Sequence, residues 1–529
     1  MTCRFTTFAL FAAALVAAPA VAADIAWDGN GDADASGDWG TTVGNELNWA
    51  GNANPGTGEV AQLLDVSTGT RTVTLQNATT VQGLTIAQTT PGAVNTLTLN
   101  ANLTLTNATP LTLTRAAGEP QSLVVNLAGR TITMNYNSNP SDTRTHTLRG
   151  TWNFNAAGST LITTNTGNET TFNFSIEDTL NVSANATIGR SNESTSGGVN
   201  LGRSETFTFG SASDVDVTGG TLTLIKRIRS GKNNANLIVE NSGALDVASG
   251  AGVLLRHDNH FADSPTQATS FTNTATGTVT LGGNLAFSRS GSGTVSQTIT
   301  NLNVFVVNGN DAAITRSGAN TIAFTNAATG TLRGDSASDT LDYDGLNAGV
   351  RMTISSSGAV APGAGHAGSG LASVGDLNLQ DINLTFTGAA STLRLDLGGT
   401  SAGQFDTLTL LAGDSVTAGD LTIDSTNTQL ELAYVNGFNP TAGFEITILN
   451  YGSVSGAFDL ANNLTITGAT GLAADTANYN ITYLADHAVL TLIPEPGVLA
   501  LLGLSGALLL PARRADRKAT EAAAGRSQQ

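Results

Sequence analysis

The chain has 529 residues, a formal net charge of −18 and a single cysteine, Cys3. Charged residues make up 12% of it and aromatics 5%, against roughly 25% charged in an ordinary globular domain, while 60 residues are glycine. The acidic balance excludes general nucleic-acid binding, which needs a positive field, and one cysteine excludes a disulfide framework.

The first element is a leader. Met1 to Ala23 carries Arg4, an apolar run from Phe5 to Ala18, and small residues at its end. Ala20-Val21-Ala22 and Val21-Ala22-Ala23 both suit a signal peptidase, so cleavage is expected beside Ala22 and Ala23, with the mature chain starting at about Ala23 or Asp24. Cys3 departs with the leader, which leaves stability to packing and backbone hydrogen bonding.

Residues 24–69 hold three of the four tryptophans: Trp27, Trp39 and Trp49. Clustered aromatics supply the area that a solenoid needs to cover its first hydrophobic rung; sugar binding by the same rings is the sharper alternative. The spacing resembles the N-terminal stretch of autotransporter-associated β-strand proteins. Asp32, Asp34, Ser36 and Asp38 copy the first half of an EF-hand-like calcium loop. Val43 stands at the twelfth position, where a bidentate carboxylate is needed. A polar turn is therefore expected there, with no metal site and no cofactor, and a calcium-stabilised scaffold as a third option.

From residue 70 to 355 the pattern is strand, turn, strand. Val73/Leu75, Leu84/Ile86, Leu97/Leu99, Leu103/Leu105 and Leu111/Leu113 alternate with Thr, Asn or Gln, as do Phe172/Phe174, Phe207/Phe209, Leu222/Leu224 and Leu245/Val247. A period of two reads as half-buried strands, and Thr on the outward face is a good strand former. Internal similarity adds a fold. Phe271-Thr-Asn-Thr-Ala-Thr-Gly277-Thr-Val279 returns as Phe324-Thr-Asn-Ala-Ala-Thr-Gly330-Thr-Leu332, with a shorter version from Val239 to Leu245. Each reads as a coil corner at which Asn and Gly accept a left-handed backbone. Units that cannot bury a face alone must stack, so the expected fold is all-β, a right-handed parallel β-helix or solenoid. A run of β-sandwich domains is the alternative.

Residues 356–492 continue in strands. Gly358-Ala-Val-Ala-Pro362-Gly363, then Gly370, Val374-Gly375 and Leu377 to Leu379, resemble the Pro-Gly motif late in autotransporter passenger β-helices. The stretch that follows is too short for the many ten-residue strands of an outer-membrane barrel.

No residue set along the chain makes a convincing catalytic site. Asp335, Asp339, Asp342 and Asp344 offer paired carboxylates, but their surroundings read as an exposed turn. His257 and His260 lack a third ligand and read as a surface loop, and His366 sits in the Pro-Gly loop without a nucleophile. Lys226, Arg227, Arg229 and Lys232, with Arg203, form a basic patch that suits an anionic exopolysaccharide or a solvated strand edge.

The chain closes on Pro494-Glu495-Pro496, an apolar run from Gly497 to Leu510, and Arg513, Arg514, Arg517 and Lys518. The prolines keep the site extended, the run prefers lipid, and the basic cluster stays cytoplasmic. Val498 to Leu510 gives a short transmembrane helix of roughly 20 Å, less than a hydrocarbon core of about 30 Å, and Pro511 ends it. These three features in this order, over 493–518 with a polar tail at 519–529, resemble the PEP-CTERM sorting signal of Gram-negative bacteria. The resemblance implies an exosortase-like transpeptidase as partner, transient anchoring in the inner membrane, and transfer to the cell surface or medium. Without leader and tail the exported part carries about −22. The expectation is a non-enzymatic surface or matrix protein, structural or adhesive, that accompanies exopolysaccharide and biofilm. A β-helix polysaccharide lyase or glycosidase is the alternative.

Overall fold

The computed structural model describes residues 23–493, apart from 30–34, 41, 44–45, 107–110, 137–142, 166–170, 191–203, 229–235, 260–266, 291–294, 318–320, 345–348 and 364–373. Alternating residues form short strands, and the strands visit three faces in a fixed order. The first face is a fifteen-stranded sheet beginning at Gly37–Trp39, and the second a fifteen-stranded sheet beginning at Thr79–Val81. An eleven-stranded sheet from Thr143–Leu148 to Ser453–Ser455 forms the third. In the opening coils a four-stranded sheet, Ala23–Ala26 to Leu111–Arg115, takes that third position. Neighbouring strands run parallel and in register, such as Thr151–Phe154 on Thr179–Val182. The molecule is a parallel β-solenoid. The continuity of its sheets rules out a run of separate sandwiches, and they cross residues 355–356 without a break.

The interior is one column of apolar side chains. Every pair named above is buried except Leu111, which is half-buried. Like stacks on like along the axis, since each rung repeats the environment of the one below. Phe174 lies over Phe207 with ring centroids 5.3 Å apart and planes 7° apart. At the N-terminal end Trp27, Trp39 and Trp49 are buried together. Trp49 stands 5.3 Å from Trp27 and 4.7 Å from Trp39, centroid to centroid. At the other end His487–Leu492 runs antiparallel between Glu445–Asn450 and Tyr479–Tyr483. That reversal breaks the coil repeat.

A buried polar column runs beside the apolar one. Asn241 donates to Asn273 at 3.0 Å, Asn273 to Asn301 at 2.8 Å, Asn301 to Asn326 at 2.8 Å, and Asn326 to the Ser356 hydroxyl at 3.0 Å. The other amide N–H of each asparagine reaches a backbone carbonyl of the adjacent coil: Thr278, Val304, Thr331 and Ala359 in turn. These amides close the corners that the sequence repeat marks.

The corner glycines act differently from the expectation. Gly243, Gly277 and Gly330 do not have a positive φ, and neither do the ladder asparagines. A Cβ at Gly277 would collide with the Asn241 carbonyl and the Asn273 side chain, and one at Gly330 with the Asn326 side chain and the Asn301 carbonyl. Space over the amide ladder, not a left-handed backbone, selects glycine here.

Candidate functional site

The solenoid offers three chemically distinct regions: outward ladders, an acidic cluster, and one edge where successive strands are joined by long stretches of sequence. Ladders follow from register, because in-register stacking repeats outward positions as well as inward ones. On the eleven-stranded face a row rises from Thr147 through Ser175 and Thr208 to Thr272, and continues through Thr300 and Thr385 to Ser455. Glu240 is the row's charged member. On the first face, Asn181 donates to Asn153 at 2.8 Å, Asn153 to Asn126 at 2.7 Å, and Asn126 to the Thr98 hydroxyl at 3.2 Å.

The Asn row leads into carboxylates. Asp216 stacks on Asn181 and Asp246 stacks on Asp216. One oxygen each from Asp214, Asp216 and Asp246 lie within 4.8 Å of one another. Partial burial, with Asp214 and Asp246 beside it, pushes the Asp216 carboxyl up. All-oxygen clusters of this kind suit a hard divalent cation better than a transition metal.

The third region is asymmetric. Connections from the third face back to the first are two residues long at 177–178, 242–243 and 302–303. Connections from the second face to the third span 191–204, 229–236 and 260–266. Under this edge the interior is charged. Lys226, His257 and Arg289 occupy one register column, and Glu205 lies 3.6 Å from Arg190. Lys226 is buried and donates to the Asn236 carbonyl at 2.9 Å. Burial drives the Lys226 ammonium down to about 7, against the pull of Glu205 and with the push of Arg190. Burial, Lys226 and Arg289 take His257 down to about 3, so it is neutral at physiological pH.

Two expectations are corrected by this arrangement. Lys226 belongs to the interior rather than to a basic surface patch or a solvated edge. His257 lies in the strand Gly252–Asn259 and is buried, not in a surface loop. The signal was present in the alternation: Leu222, Leu224 and Lys226 share one parity, as do Val253, Leu255 and His257. Arg227 is half-buried on the opposite parity. Arg203, Arg229, Lys232, His260 and His366 lie outside the described residues.

The acidic candidates separate. Asp339 is buried and accepts from the Gly309, Asp335 and Ser336 amides at 2.7, 2.7 and 2.8 Å, and from the Ser336 hydroxyl at 2.6 Å. It clamps a corner. Asp342 and Asp344 belong to the strand Ser338–Asp344, not to a turn. Asp335 is held by Arg333 at 2.9 Å. Asp381 and Asp178 repeat the clamp: Asp381 accepts from three successive amides, Gly413 to Ser415, and Asp178 from the Gly150 amide and from Arg115.

In the N-terminal segment, Ser36 accepts from the Thr72 amide at 2.8 Å and Asp38 from Gln76 at 3.1 Å, both bonds to the following coil. Asp32 and Asp34 lie outside the described residues, as do Ala22, Pro494, Glu495, Pro496, Arg513, Arg514, Arg517 and Lys518. Ala23 opens the first strand, which pairs with Glu59–Leu63 through Ala23↔Glu59. Among the described residues no helix is long and apolar enough to cross a membrane. No family model, curated protein or solved structure matches the chain.

The buried lysine has a measurable signature. Between pH 7 and the ordinary lysine value near 10.5, Lys226 is uncharged in the fold and charged in the unfolded chain. Unfolding takes up a proton there, so Lys226 makes stability rise with pH through that window. In Lys226→Met this rise is expected to disappear from thermal unfolding midpoints at pH 7.5 to 9.5. Equal slopes in the two proteins would place the lysine in solvent.

Proposed function

We propose that the protein is an exported, non-enzymatic component of the cell surface or extracellular matrix, structural or adhesive, that contacts exopolysaccharide along its outward ladders. The observation that carries this reading is the in-register row from Thr147 to Ser455, a line of hydroxyls repeated on every rung but that of Glu240. Such a row provides many equivalent weak contacts along one axis, which suits a polymeric glycan better than a small substrate. The buried carboxylates Asp339, Asp381 and Asp178 support a structural role, because each is committed to backbone amides. A right-handed coil is the expected hand, since parallel crossover connections are almost always right-handed.

Delivery to that location rests on the two ends of the sequence. The leader ending at Ala22 and Ala23 would export the chain. The short transmembrane helix behind Pro494-Glu495-Pro496, followed by Arg513, Arg514, Arg517 and Lys518, would hold it in the inner membrane until an exosortase-type enzyme cuts it. The test is the intact mass of the protein recovered from producing cells. A start near Asp24 and an end close to Pro494–Pro496 is expected; an end at Gln529 would overturn sorting and leave a tethered periplasmic rod.

A further inference from the structure

The C-terminal end of the solenoid carries an open groove of about 510 Å³, lined by Phe458, Leu460, Ala461, Tyr479, Ile481 and Tyr483 with a few polar neighbours. Its wall is the strand Tyr479–Tyr483, the outermost strand of a fifteen-stranded sheet. Two hydroxyls fix the aromatic walls: Tyr483 accepts the Phe458 amide at 2.9 Å, and Tyr479 donates to the Ala473 carbonyl at 2.6 Å. The groove is therefore preformed, and it falls in the size range that takes a small ligand or a few apolar side chains.

The chain leaves the fold at the rim of this groove. The Ile493 amide donates to the Asn478 carbonyl at 2.7 Å, and Asn478 stands between two lining residues, Ala477 and Tyr479. Residues 494–529 follow, and their first apolar stretch, Gly497 to Leu510, carries seven leucines and no charge. Pro494-Glu495-Pro496 spans roughly 10 Å when extended, enough to return that stretch to the rim it has just left.

We propose that the groove is the docking site of the chain's own apolar run, Gly497–Leu510, and that the run covers it in water. Two apolar surfaces joined by a three-residue tether meet at an effective concentration of the order of millimolar. At micromolar protein the tethered run therefore outcompetes a second copy. Docking would withdraw leucines that otherwise stand exposed and prone to association. The proposal concerns the uncut chain, in which Pro494-Glu495-Pro496 still joins the run to the fold, and it does not depend on which enzyme, if any, later cuts there.

The test is disulfide trapping in the chain from Asp24 to Gln529, which contains no native cysteine because Cys3 lies in the leader. Ile481→Cys is paired with Leu504→Cys and oxidised in detergent-free buffer. The control pairs Leu504→Cys with Thr80→Cys, on the first strand of the same sheet at the opposite end. An intrachain disulfide at least ten-fold more abundant than in the control is expected. Ala461→Arg, an exposed position in the groove lining, should reduce it about five-fold with the melting curve unchanged. Equal yields in pair and control would overturn the proposal, as would disulfides formed only between chains, which would assign the groove to a second copy.

Discussion

Asn301→Ala is expected to destabilise the protein by about 3–5 kcal/mol, although the side chain removed is small and polar. The asparagine receives Asn273, donates to Asn326, and holds the Thr331 carbonyl. Its loss leaves the Asn326 oxygen and one Asn273 N–H without those partners in a fully buried column, at about 1–3 kcal/mol for each unsatisfied group, with the neighbouring bonds weakened as well. Thr300 is next in sequence but points outward, and Thr300→Ala should stay within about 0.5 kcal/mol. Urea unfolding followed by far-UV circular dichroism separates the two, and hydrogen exchange should place the loss in the rungs from Asn241 to Ser356. If the two variants unfold alike, the ladder is not a stabilising device.

Trp49→Ala is expected to cost about 3–5 kcal/mol, as for other buried aromatics cut to alanine, but with a different distribution. Trp49 is fully buried and touches both other indoles of the N-terminal cluster. In a stack where each rung contacts only its neighbours, damage at an end frays inward from that end. Loss of amide protection should therefore appear in Glu59–Leu63, Thr70–Leu75 and Gly83–Gln88 and fade toward the middle of the rod. Trp49→Phe should retain most of the protection. Uniform loss along the whole chain would mean that the cluster does not act as an end cap.

Much of this architecture was legible in the sequence because one physical rule, alternation of inward and outward side chains, operates along nearly the whole solenoid. Val73/Leu75 and Leu222/Leu224 needed nothing more. The same rule also governs positions where the inward residue is polar, and there composition points the other way. Lys226 and His257 continue the inward parity of their strands, yet their charge suggested surface. Arg71 and Asn95 behave the same way: both are buried, and the Arg71 guanidinium bonds the Asn95 side chain at 3.2 Å. The repeat at Phe271 and Phe324 announced corners, but its Asn and Gly are explained by stacking across coils, which no single strand displays. Register was the missing quantity. Only with Asn181 over Asn153 and Asp216 over Asn181 do the outward ladders and the carboxylate cluster exist as features.

The length of each coil carries a consequence for what such a rod is suited to. Ladder neighbours are separated by 32, 28 and 25 residues, and each turn advances the axis by only roughly 4.8 Å. The same 28 residues as an extended strand would reach about 95 Å. Fifteen strands in one sheet therefore span only about 65–70 Å. A coiled chain is an inefficient way to cross distance and an efficient way to make flat, rigid, repeating area. Lengthening the protein by one coil would add one more row of side chains to three surfaces while scarcely moving its ends apart, so insertion or loss of whole coils would tune avidity rather than reach.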